Sequence, residues 1–188
     1  MANGEPLLSA RAPVPAKTFV KGEEFEQILE TFTGGAIIGH CRRTTKGDQK
    51  NNENNHPLVS DITGIGLIHN GTVKDAQWRA VDDEGKNPYL LGEYKAEVDT
   101  EAILRLIDTM RYIPRKEDLR IDPVEVESTP KDQWTENVDL NRAIRDASFN
   151  LSGGFSCAVL DPKEPNDVRL FRNKDRPCLL AYVPELEM

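Results

Sequence analysis

Three short clusters carry side chains able to hold or polarise a small molecule. In "GHCRRTTKG" (residues 39–47) Arg42 follows an apolar run, where its planar fork can meet a carboxylate through two parallel bonds. A surface arginine paired with one of the chain's 32 acidic residues explains the same position. In "LIHNG" (residues 67–71) the Asn70 amide and the Gly71 N–H are adjacent donors. Two such donors on one oxygen stabilise the anion formed when a carbonyl is attacked; a plain strand-to-helix turn uses the same residues. In "VDTE" (residues 98–101) Asp99 either caps its own helix or faces a cleft, where it holds an ammonium group. His56 and His69 are candidates for proton transfer, and equally for satisfied structural positions.

These residues need elements to place them. "GEEFEQILETF" spaces Phe25, Ile28, Leu29 and Phe32 as one helix face with acids in the first turn, and Gly34-Gly35 ends it. "AIIGHCR" (36–42) reads as a strand buried on both faces. Residues 44–56 form a polar loop long enough to be functional, and "SDITGIGLIHN" supplies the next strand. "TVKDAQWRAV" has helical spacing, which places Asn70 and Gly71 at a strand end. "VDTEAILRLIDTMRYIP" is the clearest helix, with Ile103, Leu104, Ile107 and Met110 inward and Pro114 as its stop. After a charged linker comes a helix through Leu140, Ile144 and Ala147, then strands "FSCAVLD", "VRLFRN" and "CLLAYV". Strands at both ends with helices between predict an α+β fold on a largely antiparallel sheet. Residues 1–20, rich in Pro and Ala, read as a flexible or partner-bound arm, leaving 21–188 as the domain.

Composition narrows the function. A chain of 188 residues that is 38% hydrophobic and 30% charged can build one real core. Its net charge of −8 argues against a phosphate-backbone partner, so no nucleic acid is expected. It has no apolar run of membrane-spanning length and no secretory leader pattern, so no membrane is expected, and a cytoplasmic location is. Three cysteines without metal-site spacing read as reduced thiols; no metal and no cofactor are expected.

The clusters, taken in order with "NNHPLVSD" and "LSGGFSCAVLD", closely resemble the class II glutamine amidotransferase domain. Its pattern runs H-x-R-x-x-T-x-G, N-x-H-P, H-N-G, D-T-E and a closing glycine-led strand ending in Asp; the match covers about residues 36–183. The resemblance implies an N-terminal-nucleophile hydrolase-like sandwich of largely antiparallel sheets with helical layers. It implies that Arg42 grips the α-carboxylate of glutamine, Asp99 its α-ammonium, and Asn70 with Gly71 the oxyanion. Thr45 falls in the loop that closes over glutamine, and His56 in the block that shapes that loop. The physics concurs: a zwitterion needs one cation and one anion, and an attacked amide needs two donors.

The family's nucleophile is an N-terminal cysteine whose α-amino group serves as its base. This chain opens Met-Ala-Asn-Gly, and the aromatic residue that follows the arginine in the family is here Arg43. Cys41 adjoins Arg42 but would point to the opposite face of a strand, while Cys157 and Cys178 lie in apolar runs. Three readings follow. The chain is a pseudo-enzyme that keeps the pocket, with glutamine or a similar amino acid, a protein partner or further copies of itself as its partners. Shortened chains of this kind in tailed bacteriophages suggest a virion or assembly role. Alternatively it is an active amidotransferase whose thiol comes from another chain or segment, or an unrelated α+β binding module.

Overall fold

The computed structural model describes residues 6–33, 35–43, 47–74, 90–91, 94–112, 136 and 138–179. Four strands, β1 (Leu58–Val59), β2 (Gly66–Val73), β3 (Gly153–Asp161) and β4 (Glu164–Arg172), form one sheet in the order β1-β2-β3-β4. Every pairing is antiparallel. Helices α1 (Ala16–Phe19) and α2 (Glu23–Thr31) precede the sheet, and α3 (Asp99–Tyr112) and α4 (Leu140–Phe149) lie between β2 and β3. This is the α+β arrangement that the grouping of strands predicts. The third closing strand is not formed at Cys178–Leu179, and the rest of "CLLAYV" lies outside the described residues.

Alternation along the strands decides which face is covered. Leu67 and His69 of β2 are buried, as are Val159 and Cys157 opposite them on β3, and Val73 and Phe155, opposite Gly153 and Gly71, are buried too. These residues pack under α3 and α4, whose Ala102, Ile103, Leu106, Ile107, Ala143 and Ala147 complete the core. The other face carries Asn70 and Thr72, which are exposed, and Gly154 and Ser156.

Helix α3 is buried all round from Asp99 to Arg111, not along one stripe as its spacing predicts. Its polar residues allow this because each has a partner. Arg105 binds Glu101 and Asp61, Asp108 accepts from the Ser60 and Thr63 hydroxyls, and Arg111 binds Glu136 and Asp161. By contrast, α2 buries none of its residues; Phe25, Ile28 and Phe32 line a cavity instead.

Two expectations need correction. Residues 36–42 alternate in exposure and enter no ladder among the described residues, and Ile37 is 56% exposed, so "AIIGHCR" is not a strand buried on both faces. A main-chain tie to the sheet runs from Ala36 N–H to the Pro165 carbonyl at 2.9 Å. Nor does β2 stop at Asn70-Gly71: it continues to Val73, with Gly71 opposite Phe155. The helix read from "TVKDAQWRAV" therefore loses its first two residues to β2, and residues 75–81 of it lie outside the described residues. Gly71 is required for a close approach rather than for a turn. A Cβ there would stand 2.0 Å from the Gly154 carbonyl oxygen, at a φ of 147°.

Candidate functional site

Strand β2 has a closed edge and an open one. The pairing with β1 covers only Gly66 and Leu67, leaving the rest of that edge without a described strand. Phe155 donates its N–H to Asn173 Oδ1 and accepts from Asn173 N–H, both away from β2. Antiparallel pairs alternate, so Gly71, opposite Phe155, turns its own N–H to the open edge. Val73 shares that parity, and its N–H reaches Asp99 Oδ2 at 2.8 Å. The first turn of α3 is thus docked against the open edge, with Asp99 flanking the Gly71 amide.

Asp99 is buried and directs its carboxylate at the strand, a use that neither simple capping nor an open cleft describes. Its Oδ1 lies 3.8 Å from His69 Nδ1. Thr100, the next residue, bridges two imidazoles: its hydroxyl is 2.9 Å from His56 Nε2 and 3.1 Å from His69 Nδ1. His56 Nδ1 in turn meets His40 Nδ1 at 2.8 Å. All three histidines of the chain therefore join through one hydroxyl. His69 Nε2 is buried with no hydrogen-bond partner among the described residues.

Burial holds these imidazoles neutral. It depresses His56 to about 3, helped by His40, His69, Arg42 and Arg11. His40 is lowered by burial and then by Arg42. His69 is lowered by burial, against the opposing pull of Asp99, with His40 and Arg176 adding to the fall. For Arg42, burial lowers the pKa while Asp99 raises it, which puts guanidinium and carboxylate within electrostatic reach of each other. Of the residues singled out in the sequence, Arg42, His56, Gly71 and Asp99 thus gather at the open edge of β2. Asn70 adjoins them on the exposed face, and Thr45 lies outside the described residues.

A cavity of about 630 Å³ opens beside this cluster. Arg42, His40 and His56 reach it; its bulk is apolar, walled by Leu7, Phe19, Phe25 and Leu160. Asn70, Gly71 and Asp99 do not line it, so the polar site and this cavity share only a border.

The three thiols stand in different surroundings. Cys157 faces the core opposite His69, and burial, with Asp99, pushes its pKa far up. Cys41 is exposed between half-buried His40 and Arg42, and Cys178 lies beyond β4. Among the described residues no cluster of His, Cys, Asp or Glu could hold a metal, and no helix is long and apolar enough to cross a membrane.

Over 151 residues the chain is 37% identical to the glutamine–fructose-6-phosphate aminotransferase of Staphylococcus aureus. That stretch is 80% of this chain and 20% of the relative. The enzymes of the same name from Bacteroides thetaiotaomicron and Chlorobaculum tepidum are each 26% identical, over 167 and 166 residues. The chain is glutamine-amidotransferase-like. It spans about a fifth of the length of these curated relatives. No family model matches it.

This amidotransferase-like chain holds two site residues that the sequence reading missed, His40 and Thr100. Both stood inside quoted motifs, "GHCRRTTKG" and "VDTE", but their partners are remote along the chain and only the docking of α3 on β2 unites them.

Proposed function

We propose that the chain is an amino-acid-binding domain of the class II amidotransferase kind that holds glutamine or a close analogue without hydrolysing it. The reading rests above all on Asp99, docked on the edge of β2 beside the outward Gly71 N–H, with the Arg42 guanidinium within electrostatic reach of it. Opposite charges at that edge suit an α-carboxylate and an α-ammonium, and the Gly71 and Asn70 donors suit a side-chain carbonyl. In this reading the four-stranded sheet with α3 and α4 on one face is half of an N-terminal-nucleophile sandwich. The placement of Cys41, Cys157 and Cys178 supports binding without acyl transfer.

The test is thermal melting of the purified chain with L-glutamine. A ligand bound only to the native state raises the melting temperature, by about 2.7 kcal/mol of stability at a hundredfold excess over Kd. The rise should vanish in Arg42→Ala and in Asp99→Ala, and no ammonia should be released. Unchanged melting of the parent chain with glutamine and with its close analogues alike would refute the pocket.

A second reading, an active glutaminase completed by a thiol from another chain or segment, is favoured by residues 36–42. They alternate in exposure and join no ladder among the described residues, as a strand awaiting a neighbour would. Covalent labelling by a glutamine-like diazoketone, with stoichiometric loss of glutamine hydrolysis, would establish that reading.

A further inference from the structure

Arg176 lies apart from every motif discussed above, yet its stem covers Gly154. A Cβ built on Gly154 would find Arg176 Cγ and Nε each at 3.4 Å, on the face away from α3 and α4. Gly154 pairs with Thr72, which makes Asn70 its diagonal neighbour across the ladder. Such diagonals are about 7–8 Å apart, within the reach of an arginine side chain. The Arg176 guanidinium makes no ion pair with an acidic side chain among the described residues, and it is close enough to His69 to hold that imidazole's protonation down. Asp175 precedes it in sequence; its Cβ is 3.5 Å from the same point over Gly154, but its carboxylate faces the Asn173 amide at 3.5 Å.

Asn70 is therefore flanked by donors, Arg176 over the exposed face and the Gly71 N–H at the open edge of β2. Arg176 and the Gly71 N–H only donate, while Asn70 and Ser156, its partner on β3, can do either. A side-chain carboxylate accepts at both oxygens and carries charge opposite to Arg176. A side-chain amide offers one acceptor, and its NH₂ group meets further donors. We propose that the distal end of this amino-acid site selects a carboxylate, so that its ligand is an acidic amino acid such as L-glutamate in preference to L-glutamine. In that pose Arg42 and Asp99 hold the α-groups, while Arg176, Asn70 and the Gly71 N–H hold the γ-carboxylate. The inference rests on the amino-acid site proposed above and adds its selectivity.

Calorimetric titration of the full chain near neutral pH with each amino acid tests it. L-Glutamate should bind about tenfold tighter than L-glutamine or better, as expected for a charge-assisted contact replacing a neutral one. Arg176→Gln, at an exposed position, should leave the ligand-free melting temperature unchanged. It should remove the preference, with glutamate affinity falling to about that of glutamine, and Arg176→Lys should restore part of the preference. Glutamine binding as tightly as glutamate to the parent chain would overturn the selectivity and leave the pocket standing. Neither amino acid binding would overturn both.

Discussion

At Gly71 an added methyl group meets backbone that has no room to move, since the Gly154 carbonyl oxygen would be 2.0 Å away. The φ of 147° adds strain for any residue with a side chain. Asn70, one position earlier, projects from the exposed face and packs against little. The two members of one motif should therefore answer substitution differently. Gly71→Ala should cost about 3 kcal/mol or more in chemical denaturation, through strain and overpacking. Asn70→Ala should stay within about 0.5 kcal/mol, as surface changes do. Equal losses at the two positions would mean that the Asn70 side chain helps to hold β2 in place, and its assignment to ligand binding would weaken.

The docking of α3 on the open edge of β2 is written largely in imidazoles, and so it should respond to acid. His56 sits at about 3 in the folded chain against 6.5 as its ordinary value, so the native state binds fewer protons than the unfolded one. Its stabilising contribution is whole above pH 6.5 and is lost as pH falls, by about 1.4 kcal/mol per unit. His40 and His69 are shifted the same way. Asp108, whose carboxyl burial raises to about 7 from 3.8, works in reverse: its contribution is whole below 3.8 and is lost as pH rises towards 7. Three groups against one predict a melting temperature that falls between pH 6.5 and 5, and a steeper fall in Asp108→Asn. A flat profile in that variant would show that the imidazoles are not the titrating groups. Thr100→Val, which takes the bridging hydroxyl from two imidazoles, should cost about 1–3 kcal/mol and shift the ¹⁵N tautomer signals of His56 and His69. Helices α3 and α4 and the β3–β4 hairpin were legible because apolar spacing over many residues has one structural answer. Residues 36–42 were not: an apolar run states that burial is available, not that a neighbouring strand provides it, and Ile37 here remains exposed. The Asn-Gly pair misled for a related reason, since glycine serves a close approach of strands as well as it serves a turn. The site was legible as motifs, whereas the hydrogen bonds that unite them depend on contacts between remote segments.

Over the whole molecule, the sheet has one face sealed by α3 and α4 and another reached by the N-terminal segment. Leu7 Cδ1 would come within 3.1 Å of a Cβ on Gly66, and the Arg11 carbonyl accepts from Asn52 Nδ2 at 2.8 Å. The Arg11 guanidinium pairs with Glu53 at 3.5 Å. Residues 7–16 also form a wall of the 630 Å³ cavity, opposite Phe25, Ile28 and Leu160. Read from sequence as an arm, this stretch lies along the apolar lining of the cavity. An exposed ion pair contributes little, about 0–1 kcal/mol, and a single amide hydrogen bond about 1 kcal/mol. The larger share of its attachment must come from the apolar contacts of Leu7 and its neighbours. Removing residues 1–15 should therefore lower stability by about 2–4 kcal/mol in denaturant. It should also raise the fluorescence of a hydrophobic dye, because the cavity loses a wall while the β2–β3–α3 core persists. A truncated chain with unchanged stability and no added dye binding would show that the segment contributes nothing to the fold. In that case the cavity would be open in the intact protein as well, and the outer face of the sheet would need another cover.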